Sequence, residues 1–186
     1  MNIMLHEVIK GNVRLVVDYD NDNVESPREW DCISKMVCFH KKKDFGDKHD
    51  FDYKDYDNMA GLKKAILKKY DPIIIFPLYL YSHSADVISI KPFYDEFDSG
   101  QLGFVFITKA QLKLTFPEYI RMSNKRRKEL ETVILTEVNM YNQYINGEIY
   151  RYDVYVDGNV VDTLGEFYDL ENCKTCGEDS MGNYIK

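Results

Sequence analysis

A cysteine pair near the C-terminus has the spacing of a metal site. Cys173 and Cys176 are separated by two residues, so both thiolates can bind one zinc ion. A tetrahedral site needs two more ligands, and Cys38 and His40, on one face of a predicted strand, are the candidates. The alternative, which we favour, is free thiols in a reducing compartment.

An acidic stretch partly fits a calcium-binding loop. Asp18, Asp20, Asp22 and Glu29 fall at positions 1, 3, 5 and 12 of the pattern. A predicted strand precedes this stretch where a helix is usual, and Pro27 lies within it. Calcium binding is therefore a possible role, and a plain acidic loop is the favoured one.

Residue types suited to nucleophilic catalysis are present without a local signature. No G-x-S-x-G elbow links them, and histidines on strands are more often hydrogen-bonded structural groups. We therefore do not expect an enzyme, although the chain leaves that alternative open. The residues in question are Cys38, His40, His83, Ser84, Asp98 and Ser99.

A basic run begins the longest predicted helix. Lys125, Arg126, Arg127 and Lys128 lie in its first turn, where the helix dipole disfavours cations by up to about 1 kcal/mol each. Nearby glutamates can compensate this cost. The functional alternative is contact with a bound phosphate or with an acidic partner.

Composition and charge set limits on the class of protein. Apolar residues make up 45% and charged residues 30% of 186 residues, as in a folded globular chain. The formal net charge of −7 divides into −4 for residues 1–57, +3 for 58–147 and −6 for 148–186. This balance argues against direct nucleic-acid binding over a long surface, but it allows one local anion site.

The hydrophobic pattern predicts an α+β fold with a mainly antiparallel sheet. Two principal helices are predicted at about 58–70 and 124–146, and Asp157-Gly158 predicts a hairpin. We expect one domain over residues 1–170 and a polar, flexible tail over 171–186. Other strands are predicted at 13–18, 33–40, 73–81, 87–90 and 102–108.

No membrane span or export signal is predicted. The longest apolar run, Ile73 to Leu80, is interrupted by Pro77 and is shorter than the roughly 20 residues that cross a bilayer. The first ten residues lack a basic region followed by an apolar core. A soluble, intracellular protein is the expectation.

Several short stretches resemble a family of small uncharacterised accessory proteins of tailed phages and prophages of Gram-positive bacteria. Their order and approximate spacing match over about residues 13–165, with Phe97 where the family typically has Trp. The resemblance implies a phage protein made in the cytoplasm of a host bacterium, with no reaction to carry over. The stretches are Pro27–Asp31, Met36–His40, Gly46–His49, Pro77–Ser84 and Asp98–Phe104.

Two of these stretches predict a polar pocket where two strands and their turns meet at one edge of a sheet. The tyrosines offer stacking surfaces and the remaining side chains offer hydrogen bonds. The predicted residues are Tyr79, Tyr81, His83, Ser84, Asp98, Ser99 and Gln101.

Three functions remain after these observations. The leading one is a binding protein that inhibits a host defence protein or nucleoprotein through acidic surfaces and exposed aromatic residues. The alternative is a small-molecule or nucleotide binder or hydrolase that uses the pocket around His83–Gln101. The third is a zinc-stabilised module.

Overall fold

The fold belongs to the α+β class, as predicted. The computed structural model describes residues 4–22, 24–95, 97–118 and 122–185. Within these residues there are two four-stranded antiparallel sheets and four α-helices. The chain divides into two compact units, Met1–Glu25 with Gln143–Lys186, and Ser26–Asn142.

The first unit contains both chain ends. Its sheet has the order β1-β2-β7-β8, and helix α4 packs on it. Leu15 and Val154, both completely buried, pack with Cys173 and Met181 of α4 to form its core. The element bounds are β1 His6–Lys10, β2 Val13–Tyr19, β7 Tyr150–Val156, β8 Asn159–Phe167 and α4 Leu170–Gly182.

The second unit contains the central part of the chain. Its sheet has the order β3-β6-β4-β5. Leu62 and Ile66 of helix α1 are fully buried with Phe104 and Phe106 of β6. The bounds are β3 Lys35–Cys38, α1 Met59–Tyr70, β4 Pro72–Ser82, β5 Asp86–Ser89, β6 Ser99–Thr108, α2 Lys109–Thr115 and α3 Asn124–Ile145, whose last residues belong to the first unit.

Local chemistry accounts for several of these elements. Asn58 caps α1, because its side chain accepts hydrogen bonds from the N–H groups of Ala60 and Gly61. Asp157 and Gly158 both have positive φ and connect β7 to β8, which confirms the predicted hairpin. Pro77 has no N–H to donate to a strand ladder, so it suits a position with a neighbour on one side only. Strand β5 pairs only with the last four residues of β4, so at Pro77 the strand has a neighbour on one side alone.

The C-terminal segment differs from the flexible tail that the sequence predicts. Residues Leu170–Gly182 form α4, and Asp169 caps it by accepting from the N–H of Asn172. Gly177 lets the helix approach β2 closely, since an added Cβ would lie 2.8 Å from Leu15 Cδ1. The face that α4 buries consists of Cys, Gly and Met, and these residues give a faint hydrophobic pattern.

Among the described residues, no helix is both long and apolar enough to span a bilayer.

Candidate functional site

Strands β4 and β6 bring the predicted pocket residues together. The two strands pair antiparallel, with Tyr79 opposite Gln101 and Tyr81 opposite Ser99. The sequence predicted that these two segments meet, and this is confirmed. They meet at the ends of the two central strands rather than at an edge of the sheet.

A contact between His83 and Asp98 joins the turn after β4 to the segment before β6. Nδ1 of His83 lies 2.8 Å from Oδ2 of Asp98, and the N–H of Ser82 donates to the carbonyl of Asp98 at 2.8 Å. The ring of Tyr81 stacks on His83 at 6.5 Å and packs on Phe93 at 5.6 Å. These contacts hold the connection between β5 and β6 at Phe93 and at Asp98.

The described residues of that connection, 90–95 and 97–98, carry two exposed aromatic side chains, and we call these residues the aromatic loop. Tyr94 and Phe97 are both fully exposed. Asp95 orders the loop, because its Oδ1 accepts from the N–H of Phe97 at 2.9 Å and of Asp98 at 3.2 Å. The hydroxyl of Ser99 donates to the Asp95 carbonyl. The loop therefore presents two large rings from a hydrogen-bonded turn.

The roles of the predicted pocket residues follow from this arrangement. Tyr81, His83, Asp98 and Ser99 hold the base of the loop. Ser84 is exposed in the turn before β5. Sequence reasoning missed Tyr94 and Phe97, although a signal was available: large aromatic residues in an acidic turn between two strands have no core to fill.

Asp98 is positioned to orient the ring of His83, and the hydroxyls of Ser82 and Ser99 are engaged with other groups. The hydroxyl of Ser82 donates to Asp86 at 2.6 Å, and that of Ser99 donates to a backbone carbonyl. Burial, with a smaller contribution from the negative charge of Asp47, raises the pKa of the Cys38 thiol far above its usual value. Cys38 is therefore a protonated core residue at neutral pH.

Three of the stretches that carry the resemblance converge on a buried ion-pair network. Nε and Nη2 of Arg28 donate to the two carboxylate oxygens of Asp47 at 2.7 and 3.0 Å, and Nη1 lies 3.5 Å from Glu137. Only 3% of the Arg28 side chain is exposed. Burial opposes the charge of Arg28, but the hydrogen bond and charge of Asp47 outweigh it, so the pKa of Arg28 is raised. Asp47 also accepts from the N–H of Met36 at 2.9 Å. The network is structural, because it ties strand β3 and the segment after it to helix α3.

The described residues contain no group of three or more His, Cys, Asp or Glu arranged to hold a metal ion. Cys38 and His40 lie in the second unit, and Cys173 and Cys176 lie on α4 of the first. Burial, with a smaller effect of Cys176, raises the pKa of Cys173 to about 12, which disfavours the thiolate that zinc requires.

The three aspartates of the calcium-like stretch lie in the first unit and accept hydrogen bonds from protein donors, whereas Glu29 belongs to the second unit. Asp20 accepts from the N–H of Glu166 at 2.9 Å, and Asp22 pairs with Arg151 at 2.5 Å. Asp18 accepts from the N–H that follows it in the chain. These contacts give the stretch a structural role within the first unit.

The basic run at the start of α3 has local partners. Lys125 lies 3.9 Å from Glu129 one turn later, and Ser123 Oγ accepts from the N–H of Arg126 at 3.2 Å. Arg127 and Lys128 are exposed. Contact of this run with an anion or an acidic partner stays a prediction.

No protein-family model, curated protein or solved structure matches the chain.

Proposed function

We propose that the chain is a phage-encoded accessory protein that binds a host protein in the bacterial cytoplasm and inhibits it, with the aromatic loop as its anchor. The observation that carries this proposal is the full exposure of Tyr94 and Phe97 on an ordered turn. Aromatic anchors dominate the energetics of protein interfaces because each buries a large apolar area. The resemblance to phage accessory proteins supplies the cellular context.

The chemistry of the loop specifies the kind of partner. Asp95 and Asp98 stand beside the two rings, and the whole chain carries a net charge of −7. A complementary partner has an apolar pocket with a cationic rim, and its affinity for this protein falls with salt. A component of a host defence system, alone or in a nucleoprotein, is the class of partner that we propose.

The loop is already ordered, which favours binding. Four hydrogen bonds hold its base and turn: Ser82 N–H to Asp98 O, the pair of bonds to Asp95 Oδ1, and Ser99 Oγ to Asp95 O. The backbone of the loop therefore loses little conformational entropy when the loop docks on its partner. Burial of the two rings contributes roughly 1.5–3 kcal/mol each.

The test is affinity purification of the tagged protein from an infected Gram-positive host, at low and at high salt. Wild-type protein is compared with the double variant Tyr94→Ser/Phe97→Ser, and Leu114→Ser, at a residue 76% exposed on α2, is the control. The proposal predicts a stoichiometric host protein that the control retains and the double variant loses. Equal capture by all three proteins, or capture that rises with salt, would contradict it.

Inhibition is tested separately from binding. Each variant is expressed in the host, and the activity of the captured protein is measured in extracts. Wild type and Leu114→Ser are expected to reduce that activity, and the loop variant is not. If the captured host protein keeps its full activity in the presence of wild-type protein, the chain binds that protein without inhibiting it.

A further inference from the structure

A wide cleft in the second unit lies apart from the tip of the aromatic loop. Its volume is about 1240 Å³, and segment 38–54 supplies most of its lining. Met59, Ser82 and Gln101 complete the wall. Of the predicted pocket residues, Gln101 is the one that lines it.

The cleft is preformed rather than left open by a loose loop. The Arg28–Asp47 ion pair fixes one part of the segment, and the N–H of Gly46 donates to the hydroxyl of Tyr141 at 2.8 Å. Nε2 of His49 donates to the carbonyl of Cys38 at 3.0 Å. A fixed backbone of this kind costs little entropy when a ligand enters.

Its charge differs in sign from that of the whole protein. Five lysines and three aspartates line the cleft. Arg28 balances the charge of Asp47, Asp86 pairs with Lys43, and Glu29 lies 3.9 Å from Lys48. Lys41, Lys42 and Lys54 then outnumber Asp44 and Asp52, so the lining keeps a small excess of positive charge. Lys41 and Lys42 are exposed at its margin, as is Lys54. An anionic ligand is favoured here, although the chain is acidic overall.

The cleft also offers a flat apolar surface. The ring of Tyr53 is 49% exposed. It is backed by Phe39 at 5.6 Å, which in turn packs on His49 at 4.9 Å. An exposed ring beside lysines is the arrangement with which proteins stack a base and hold its phosphates.

We propose that this cleft binds a ligand of one or two nucleotides, with a base stacked on Tyr53 and phosphates held by Lys41, Lys42 and Lys54. The volume exceeds the range of about 300–1000 Å³ that suits a drug-sized ligand, so there is room for more than one nucleotide. The chemistry is shared by a free nucleotide and by the end of a single strand. The exposed rings of the aromatic loop, Tyr94 and Phe97, do not line this cleft.

The test measures binding of three probes to the full chain by titration calorimetry: ATP, the dinucleotide pApA and a hexamer of deoxythymidylate. Tyr53→Ala is expected to weaken binding about five- to hundredfold, because one stacked base is lost. Tyr53→Phe keeps the ring and is expected to bind within about twofold of wild type. Binding of ATP or pApA identifies a free nucleotide, and binding of the hexamer alone identifies the end of a strand.

Charge is tested with matched variants. Lys41→Ala/Lys42→Ala is expected to weaken binding about tenfold or more and to reduce its dependence on salt. Lys63→Ala/Lys64→Ala removes the same charge from exposed positions of α1 and is expected to have no more than a twofold effect. Absence of binding for all three probes at millimolar concentration, or equal weakening by both lysine pairs, would overturn the proposal. The double variant Tyr94→Ser/Phe97→Ser is expected to retain nucleotide binding. Failure of the nucleotide-binding proposal is therefore distinguished from failure of the proposal that the aromatic loop binds a host protein.

Discussion

Replacing Arg28 by Met should destabilise the second unit strongly, because it leaves two largely buried carboxylates without their cation. The guanidinium makes a two-bonded contact with Asp47, approaches Glu137 and donates to the carbonyl of Ser34 at 2.7 Å. Met fills much of the same volume and carries no charge. Removing one partner of a buried ion pair typically costs about 3–5 kcal/mol.

The lower end of that range applies here. Asp47 and Glu137 keep backbone N–H donors from Met36, Ile33 and Ser34, and their side chains are 18% and 13% exposed. We therefore expect about 3 kcal/mol of destabilisation. With a urea dependence of about 2 kcal/mol per molar, the unfolding midpoint falls by about 1.5 M.

Trp30 makes the measurement simple. It is the only Trp of the chain and lies two residues from Arg28, so its fluorescence reports unfolding of this unit. Lys109→Met is the control, since its ion pair with Asp71 at 2.8 Å is exposed and contributes at most about 1 kcal/mol. A midpoint for Arg28→Met no lower than that of the control would refute the reasoning.

Three further outcomes are expected. Gly103→Ala should lower the free energy of unfolding in urea by at least about 1–3 kcal/mol, because its Cβ would lie 1.9 Å from a carbonyl oxygen of β3. Gly100→Ala is the control, since its Cβ meets no atom within 4 Å and the change should be nearly neutral. Equal effects of the two substitutions would contradict this reasoning. The hydrogen bond from Lys43 is the main cause of the lowered pKa of Asp86, so that carboxylate stabilises the fold fully above the ordinary aspartate pKa of about 4. The stability loss in Asp86→Asn should decrease below that pH and vanish as pH falls through the lowered pKa of the folded state. An undiminished difference at pH 2 would contradict that cause. Since burial raises the pKa of Cys173 to about 12, its alkylation at pH 8, followed by peptide mass spectrometry, should be far slower in folded than in urea-unfolded protein, and equal rates would place that thiol on the surface.

Elements with strong local signals could be predicted from the sequence. The apolar spacing of α1 together with its Asn58 cap, and the Asp157-Gly158 turn, act through neighbours in the chain, so the pattern alone locates them. The pairing of β4 with β6 followed from two strand segments that end in polar turns. Helix α4 was missed because Cys173 and Met181 form a short, faint apolar pattern.

The roles of the site residues depend on partners that lie far apart in the chain. Asp47 is 19 residues from Arg28, and Glu137 is 109 residues from it, so no local pattern reveals that these groups form one network. In the same way, the charged composition of residues 41–57 does not reveal that much of this segment forms the wall of a cleft, where the lysines and Tyr53 share one surface.

The most direct test of the central claim is site-specific photo-crosslinking in the infected host. Tyr94 is replaced by p-benzoyl-phenylalanine, which keeps a large ring at the fully exposed position, and the same group at position 114 is the control. The account predicts one host protein crosslinked from position 94, and weaker crosslinking when Phe97→Ser is added. No crosslink from position 94, or the same products from both positions, would contradict the claim that the aromatic loop anchors a partner.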